Sequence, residues 1–94
     1  MIRRDGARIV VSGPVTLANV AALLEEGRRH LVDGAATVDL SGVTELDSSA
    51  LALLLAWLRE AKAGGRAVGF ANLPDSLQTI ARLYGVQDLL PAAH

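Results

Sequence analysis

The stretch TVDLSGVTELDSSALALLLAWL, residues 37–58, carries the clearest structural signals in the chain. Its β-branched and apolar opening, Thr37–Ser41, predicts a buried strand that a turn follows. A helix is then predicted to begin near Ser48 and to run to about Ala63, where a Gly-Gly pair ends it. Leucines recur on this helix at the i, i+3, i+4 and i+7 spacing that covers a sheet, namely Leu51, Leu54, Leu55 and Leu58.

A second apolar pair lies at the flank of that leucine stripe. Leu53 and Trp57 are one helical turn apart, and two interpretations of them stay open. Both side chains can belong to the core, or they can form an exposed apolar strip that contacts another protein. Tryptophan is enriched among the residues that dominate binding energy at interfaces. The second interpretation therefore makes this pair a candidate partner-binding site.

The start of the helix is the best candidate for a functional site. The sequence Asp47-Ser48-Ser49 places two hydroxyls where unpaired backbone N–H groups meet the positive end of the helix dipole. The favoured interpretation is a plain N-cap. Phosphorylation of a serine, or contact with a partner protein, is the alternative.

Asp39 stands out because it is a carboxylate inside a strand that is predicted to be buried. A buried charge is costly unless a hydrogen-bond donor lies nearby. We expect Asp39 to cap a neighbouring loop at the end of the sheet, with a functional role as the alternative.

Two strands and a helix are predicted upstream of this stretch. Residues 8–13 form a short β-branched run that a Gly-Pro pair ends, and a hairpin turn at residues 5–6 joins it to an earlier edge strand. Thr16 is placed to cap a helix from Leu17 to about Val32, with Leu17 on its buried face.

Downstream, residues 66–72 predict a last strand and Pro74 opens another helix. An apolar tail, residues 86–91, is expected to fold back as a short strand or turn. The buried face of the last helix is predicted to contain Leu77, Ile80, Ala81 and Tyr84. Because strands alternate with helices, the fold class is α/β, with a small, mostly parallel mixed sheet of about four strands and helices mainly on one face.

Length and composition narrow the class of protein. Ninety-four residues fit one domain, and a formal charge of −1 gives no electrostatic support for binding nucleic acid. The chain has no cysteine, and its start lacks the apolar core of a signal peptide. The longest apolar run is about half as long as a membrane-spanning helix. We expect a cytoplasmic protein that reaches a membrane only through a partner.

The inventory of reactive residues argues against an enzyme. A Ser-His-Asp triad needs a histidine beside the serines, and the two histidines are His30, at the far end of a helix, and His94, at the chain terminus. The sequence also lacks a nucleophile elbow, a glycine-rich dinucleotide loop and a Walker loop. Two histidines without cysteines are a weak basis for a metal site. We therefore predict no catalysis, no metal and no cofactor.

Three segments together resemble a known family. They are VDLSGVTELDSSALALLL at residues 38–55, AKAGGRAVGFANLP at 61–74 and LYGVQDLLP at 83–91. The chain resembles a STAS domain, the fold of bacterial anti-sigma-factor antagonists and of the cytoplasmic tails of sulfate transporters. It is most similar to the free-standing STAS subunits of phospholipid-transport ABC complexes, the MlaB-like group. The resemblance implies a single STAS domain over residues 1–94.

The resemblance also assigns roles to the two serines. In the antagonists the phosphoacceptor is the second hydroxyl of the motif, which falls on Ser49. In the transporter subunits the hydroxyl that follows the aspartate contacts the ATPase, and this position falls on Ser48. Gly13-Pro14-Val15-Thr16 stands where the antagonists carry an acidic turn, and Ala50 replaces their usual glycine. The loss of the acidic turn weighs against recognition by a kinase and against a phosphate switch.

Two functions follow as predictions. The first is a non-catalytic subunit that binds the ATPase of an Mla-like phospholipid transporter at the inner face of the membrane. Its predicted partner-binding residues are Asp47, Ser48, Ser49, Leu53 and Trp57. The alternative is an anti-sigma-factor antagonist that a kinase regulates by phosphorylating Ser49.

Overall fold

Strands and helices alternate along the chain after an initial hairpin. A computed structural model describes residues 1–92, so His94 and the end of the predicted 1–94 domain lie outside the described residues. The elements are β1 (Ile2–Asp5), β2 (Arg8–Val15), α1 (Val20–Val32), β3 (Thr37–Leu46), α2 (Ser49–Ala63), β4 (Gly69–Ala71), α3 (Asp75–Leu83) and a short 3-10 turn (Gln87–Leu89).

The strands form one mixed sheet in the order β1-β2-β3-β4. β1 and β2 pair antiparallel through the hairpin at Gly6, whose φ of 62° suits a residue without a side chain. β2 pairs parallel with β3, and β3 pairs parallel with β4. The predicted α/β class with about four strands is therefore confirmed.

One face of the sheet and all three helices share a single core. Side chains alternate along the strands, so that every second residue points into this core. The buried apolar strand residues are Ile2, Ile9, Val11, Val15, Val38, Leu40 and Phe70. The helices contribute Leu23 and Leu31 from α1, Leu54 and Trp57 from α2, and Leu77 and Ala81 from α3. The helices thus lie on one face, as predicted.

The strands differ in length from those predicted. β2 continues past Gly13 to Val15, and β3 continues to Leu46 rather than ending at Ser41. Two register shifts interrupt the pairing of β2 with β3, and one of them lies between Gly13 and Pro14, a residue that cannot donate to the ladder. A Cβ at Gly42 would stand 2.9 Å from the Ser12 side chain, so only glycine allows this close approach. β4 is shorter than predicted.

The first helix begins three residues later than the predicted Leu17, at Val20. Thr16 is not its N-cap. Instead the Asn19 carboxamide accepts a hydrogen bond from the Thr16 backbone N–H at 2.9 Å and donates one to the Pro14 carbonyl at 2.8 Å. These bonds hold residues 16–19 as a turn. Leu17, which was predicted to be buried, is 78% exposed.

One residue near the end of the chain was wrongly predicted to be buried. Tyr84 was predicted on the buried face of α3, but the helix ends at Leu83 and the Tyr84 side chain is 66% exposed. Gly85, with a φ of 70°, turns the chain away. The tail folds back as predicted, and the Pro91 carbonyl accepts a hydrogen bond from the Phe70 N–H at 2.8 Å. No helix within residues 1–92 has the length and apolarity needed to cross a membrane.

Candidate functional site

The N-terminus of α2 lies at the edge of the sheet where the parallel strands β2 and β3 both end. Val15 pairs with Leu46 at this edge, and the Asp47 N–H donates to the Val15 carbonyl at 3.3 Å. The turn that precedes α1 reaches the same place. The predicted Asp47-Ser48-Ser49 site is therefore a junction of three segments that are distant in sequence.

Asp47 holds this junction together. One carboxylate oxygen accepts hydrogen bonds from the Ser49 hydroxyl and from the Ser49 backbone N–H, the latter at 2.9 Å. The other oxygen accepts from the Leu17 N–H at 3.0 Å, across 30 residues of sequence. The Ser49 hydroxyl, followed by these backbone donors, lowers the pKa of Asp47. The site thus contains a carboxylate that stays ionised and fixes the start of both helices.

The two serines differ in what their hydroxyls can do. The Ser49 hydroxyl is half-buried and donates to Asp47. Ser48 occupies the N-cap position, makes no side-chain capping bond and is exposed. The plain N-cap role predicted for these serines is therefore filled by the Asp47 carboxylate. Ser48 presents the free hydroxyl of this site.

Leu53 and Trp57 lie in the core. Leu53 is 2% exposed and Trp57 is fully buried, so the first interpretation of this pair is the one that the structure shows. An exposed strip formed by these two side chains is wrong, because α2 packs against α1 on that side. The Trp57 indole N–H donates to the Leu24 carbonyl at 3.1 Å. Direct contact of either side chain with a partner would need the core to open.

The partly exposed leucines of α2 are instead Leu55 and Leu58, which the spacing had placed in the core. Both pack against the edge of the core and line open depressions beside α2. A depression lined by apolar side chains lies on the other side of the helix, between α1 and α2. The exposed Ala52 separates the depressions on the two sides. Sequence reasoning missed these surfaces, although small residues at Ala52 and Ala56 were a signal for them.

Asp39 links β2, β3 and the residue that follows β4. Its carboxylate accepts hydrogen bonds from Arg8 at 2.7 Å, from the Ser41 N–H at 2.9 Å and from the Asn72 amide at 3.0 Å. Burial by itself raises the pKa of Asp39, but the hydrogen bonds from Asn72, Ser41 and Arg8 outweigh it and lower the pKa to about 2. The predicted structural interpretation, a carboxylate that caps a neighbouring loop, accounts for these contacts.

Replacing Asp39 by asparagine should lower the free energy of unfolding by about 2 kcal/mol near neutral pH. The folded pKa of about 2 lies below the reference value of 3.8, so the carboxylate stabilises the fold above that reference value. This stabilisation declines as the pH falls and is lost near the folded pKa. Urea unfolding at a series of pH values measures it.

The exposed Asp5 offers a matched control, since Asp5→Asn removes a carboxylate that makes no ion pair within residues 1–92. We expect the difference in free energy of unfolding between Asp39→Asn and the unmodified chain to shrink as the pH falls. Asp5→Asn should show no such difference. A pH-independent gap for Asp39→Asn would contradict the prediction.

Metal-ligating side chains do not cluster in the part of the chain that the structure describes. No group of three or more histidine, cysteine, aspartate or glutamate side chains within residues 1–92 could hold an ion. What the α2 junction does offer is a free hydroxyl, an ionised carboxylate and apolar surface. This chemistry suits contact with another protein.

Comparison with protein families gives a match over nearly the whole chain. The family described as "Mlab, STAS domain" matches residues 1–91. Among characterised proteins, the chain is 36% identical over 89 residues to the "Intermembrane phospholipid transport system binding protein MlaB" of Escherichia coli K12. The aligned region covers 94% of this chain and 91% of that protein.

Solved structures show the same fold. A chain of the Acinetobacter MlaFEDB complex in its ATP-bound Vtrans2 conformation matches with a TM-score of 0.85, at 23% identity and with 99% of each chain covered. The unphosphorylated anti-sigma-factor antagonist SpoIIAA matches with a TM-score of 0.72 at 17% identity, covering all of this chain and 87% of its own. At these identities both structures support the fold alone.

Proposed function

The chain belongs to the family of MlaB-type STAS domains, and from this membership we propose that it is a non-catalytic subunit of an ABC-type phospholipid-transport complex. In this role it binds the ATPase subunit and lies at the cytoplasmic face of the inner membrane through that complex. The name of the E. coli relative, a binding protein of a phospholipid-transport system, supports the process. One of the solved structures that share the fold is a chain of an MlaFEDB complex, which is the setting that this proposal assumes.

The observation that carries the proposal is the free hydroxyl of Ser48 at the start of α2. It is exposed and uncommitted, whereas the neighbouring Ser49 hydroxyl is bound to Asp47. Apolar depressions begin beside Ser48 and continue along the helix. A hydroxyl set in an apolar surface offers a partner one directional hydrogen bond together with area to bury.

The proposed mechanism is mechanical rather than chemical. Asp47 and the core residue Trp57 keep α2 in a fixed position, and the rigid helix presents its exposed face to the ATPase. Binding to the folded ATPase stabilises that fold by mass action, and the same linkage stabilises this chain. The chain thereby favours the assembled and active arrangement of its partner.

The test is co-expression of this chain with the ATPase of a phospholipid-transport complex from the same organism, followed by co-purification and calorimetry. We expect a stable complex and a higher melting temperature for the ATPase when the chain is bound. Ser49→Ala should bind within about threefold of the unmodified chain, because the Ser49 hydroxyl faces Asp47. Failure of the two purified proteins to associate would contradict the proposal.

Regulation by phosphorylation, the alternative function, has less support. A phosphate on Ser49 would stand next to the Asp47 carboxylate that now accepts the Ser49 hydroxyl, and two such anions repel each other. Intact-mass measurement after incubation with an anti-sigma kinase should therefore show an unmodified chain. A quantitative mass increase of one phosphate would favour the signalling function instead.

A further inference from the structure

We propose that the groove between α2 and the C-terminal segment seats a helix of the ATPase that carries an apolar ridge and ends in acidic residues. This groove, called the C-terminal groove below, is lined by Ser48, Ala52 and Leu55 on one side and by Tyr84, Val86 and Leu89 on the other. The inference rests on the proposed function, since it names the segment of the ATPase that the chain recognises.

The C-terminal groove consists of two neighbouring depressions along α2. Its upper part, of about 310 Å³, begins at Ser48, and its lower part, of about 330 Å³, ends at Arg59 and Lys62. Leu55 lines both parts and joins them. At about 1.5 Å per residue, the distance from Ser48 to Lys62 along the helix is roughly 21 Å. This length accommodates about four turns of a second helix.

Large side chains with apolar surface on the walls of the groove are exposed to water. Tyr84 is 66% exposed and Leu89 is 58% exposed, and both stand on the rim opposite α2. Aromatic anchors of this kind are typical of interface hot spots. The groove is shallow and open along its length, so a small molecule would stay largely in water. An amphipathic helix laid in the groove would cover both rims.

The charge at the lower end indicates the sign of the partner. Arg59 and Lys62 are both exposed, and neither takes part in the ion pairs found within residues 1–92. Two nearby carboxylates, those of Glu60 and Asp88, do not line the lower part of the groove. Glu60 lies on the α1 side, where Glu25 and to a lesser degree Glu60 raise the pKa of Arg28. Asp88 lines a different depression, against α3.

The two cations are therefore available to a partner, and complementary charge on the partner is acidic. The hydroxyl of Ser48 fixes the other end of the groove, which continues from the site proposed above. A seated helix consequently has a defined direction, with its carboxylates toward the C-terminal end of α2. Charge pairs at such a rim act mainly on the association rate and on specificity.

Two groove variants and two matched controls test this inference by titration against the purified ATPase. Leu89→Asp places a charge on the apolar rim, and Val32→Asp replaces another aliphatic residue by aspartate at a 56% exposed site at the end of α1. The charge reversal Arg59→Glu with Lys62→Glu is matched by Arg3→Glu with Arg29→Glu, which changes the net charge equally at exposed positions.

We expect each groove variant to weaken binding at least about tenfold and each control to stay within about twofold. Changing an acidic residue of the seated ATPase helix to lysine should restore binding to the doubly reversed variant. If the unmodified chain binds the ATPase but groove variants and controls behave alike, this inference is wrong while the proposed function stands. If the unmodified chain does not bind, both are wrong.

Vesicles of anionic phospholipid serve as the competing occupant. Exposed leucines beside two cations could instead contact a lipid surface. Binding of the unmodified chain to these vesicles, lost in the doubly reversed variant, together with unchanged binding of that variant to the ATPase, would overturn the inference. We expect no measurable vesicle binding at physiological salt.

Discussion

Trp57→Ala is expected to lower the free energy of unfolding by about 3–5 kcal/mol, the largest effect of any single substitution considered. Trp57 is fully buried, and its indole N–H donates to the Leu24 carbonyl of α1. Truncation removes the packing between α1 and α2 and leaves that contact unmade. Since small domains are stable by only about 5–15 kcal/mol, much of the stability disappears. Chemical denaturation followed by circular dichroism measures the change.

Gly27 provides an independent test of how tightly Trp57 is packed. A Cβ at Gly27 would stand 2.3 Å from the Trp57 ring, so Gly27→Ala must displace the indole and should be destabilising by about 1–3 kcal/mol. In a Trp57→Leu background the same change meets a smaller side chain. We expect the cost of Gly27→Ala to fall there, which a double-mutant cycle detects. Equal costs in both backgrounds would contradict the contact.

The milder change Trp57→Phe separates stability from binding. It keeps a buried ring but loses the hydrogen bond to Leu24, so the chain should remain folded with reduced stability. Because the side chain is buried, affinity for the ATPase should be unchanged in the folded protein. A folded Trp57→Phe variant that binds the ATPase poorly would indicate that Trp57 contacts the partner directly.

Ser48→Asp is expected to weaken ATPase binding at least about a hundredfold, equivalent to about 2.7 kcal/mol. The new carboxylate would sit in the apolar contact surface, next to Asp47, and would lose water on binding without a partner. The fold should tolerate the change, because aspartate is favourable at an N-cap. Calorimetric titration, with circular dichroism as the check on folding, measures both effects.

Ser76→Asp is the matched control for this charge. Ser76 is an exposed serine in the first turn of α3, so the substitution adds the same carboxylate in a similar helical position away from the α2 surface. It should bind like the unmodified chain. Equal loss of affinity in both variants would indicate a general effect of negative charge rather than contact at Ser48.

Much of the fold follows from the spacing of apolar residues within each segment. The predictions that failed have a common physical cause. The helix at residues 49–63 and the strand at 37–41 were readable because each depends on its own spacing. The start of α1 was not, because the Leu17 N–H is held by Asp47, 30 residues away. A turn fixed by a distant carboxylate leaves no signal in its own sequence.

For the same reason, the sequence predicted where the site begins but not which side of α2 is exposed. The Asp-Ser-Ser motif marked the start of α2 correctly, but spacing could not say which flank of the helix meets α1. Gly27 makes room for the Trp57 ring, so α2 is rotated with Leu53 and Trp57 inward and with Leu55 partly outward. That rotation depends on a glycine in another helix. It moves the candidate surface from the predicted pair to the C-terminal groove.

Site-specific cross-linking can detect the ATPase at the α2 surface directly, because the chain has no native cysteine. Ser48→Cys and Leu89→Cys, each labelled with a benzophenone, report on the α2 surface, and Val32→Cys labelled in the same way is the control. We expect the first two variants to cross-link to the ATPase upon illumination and the control not to. Cross-linking from Val32→Cys, with none from the two α2-surface positions, would contradict it.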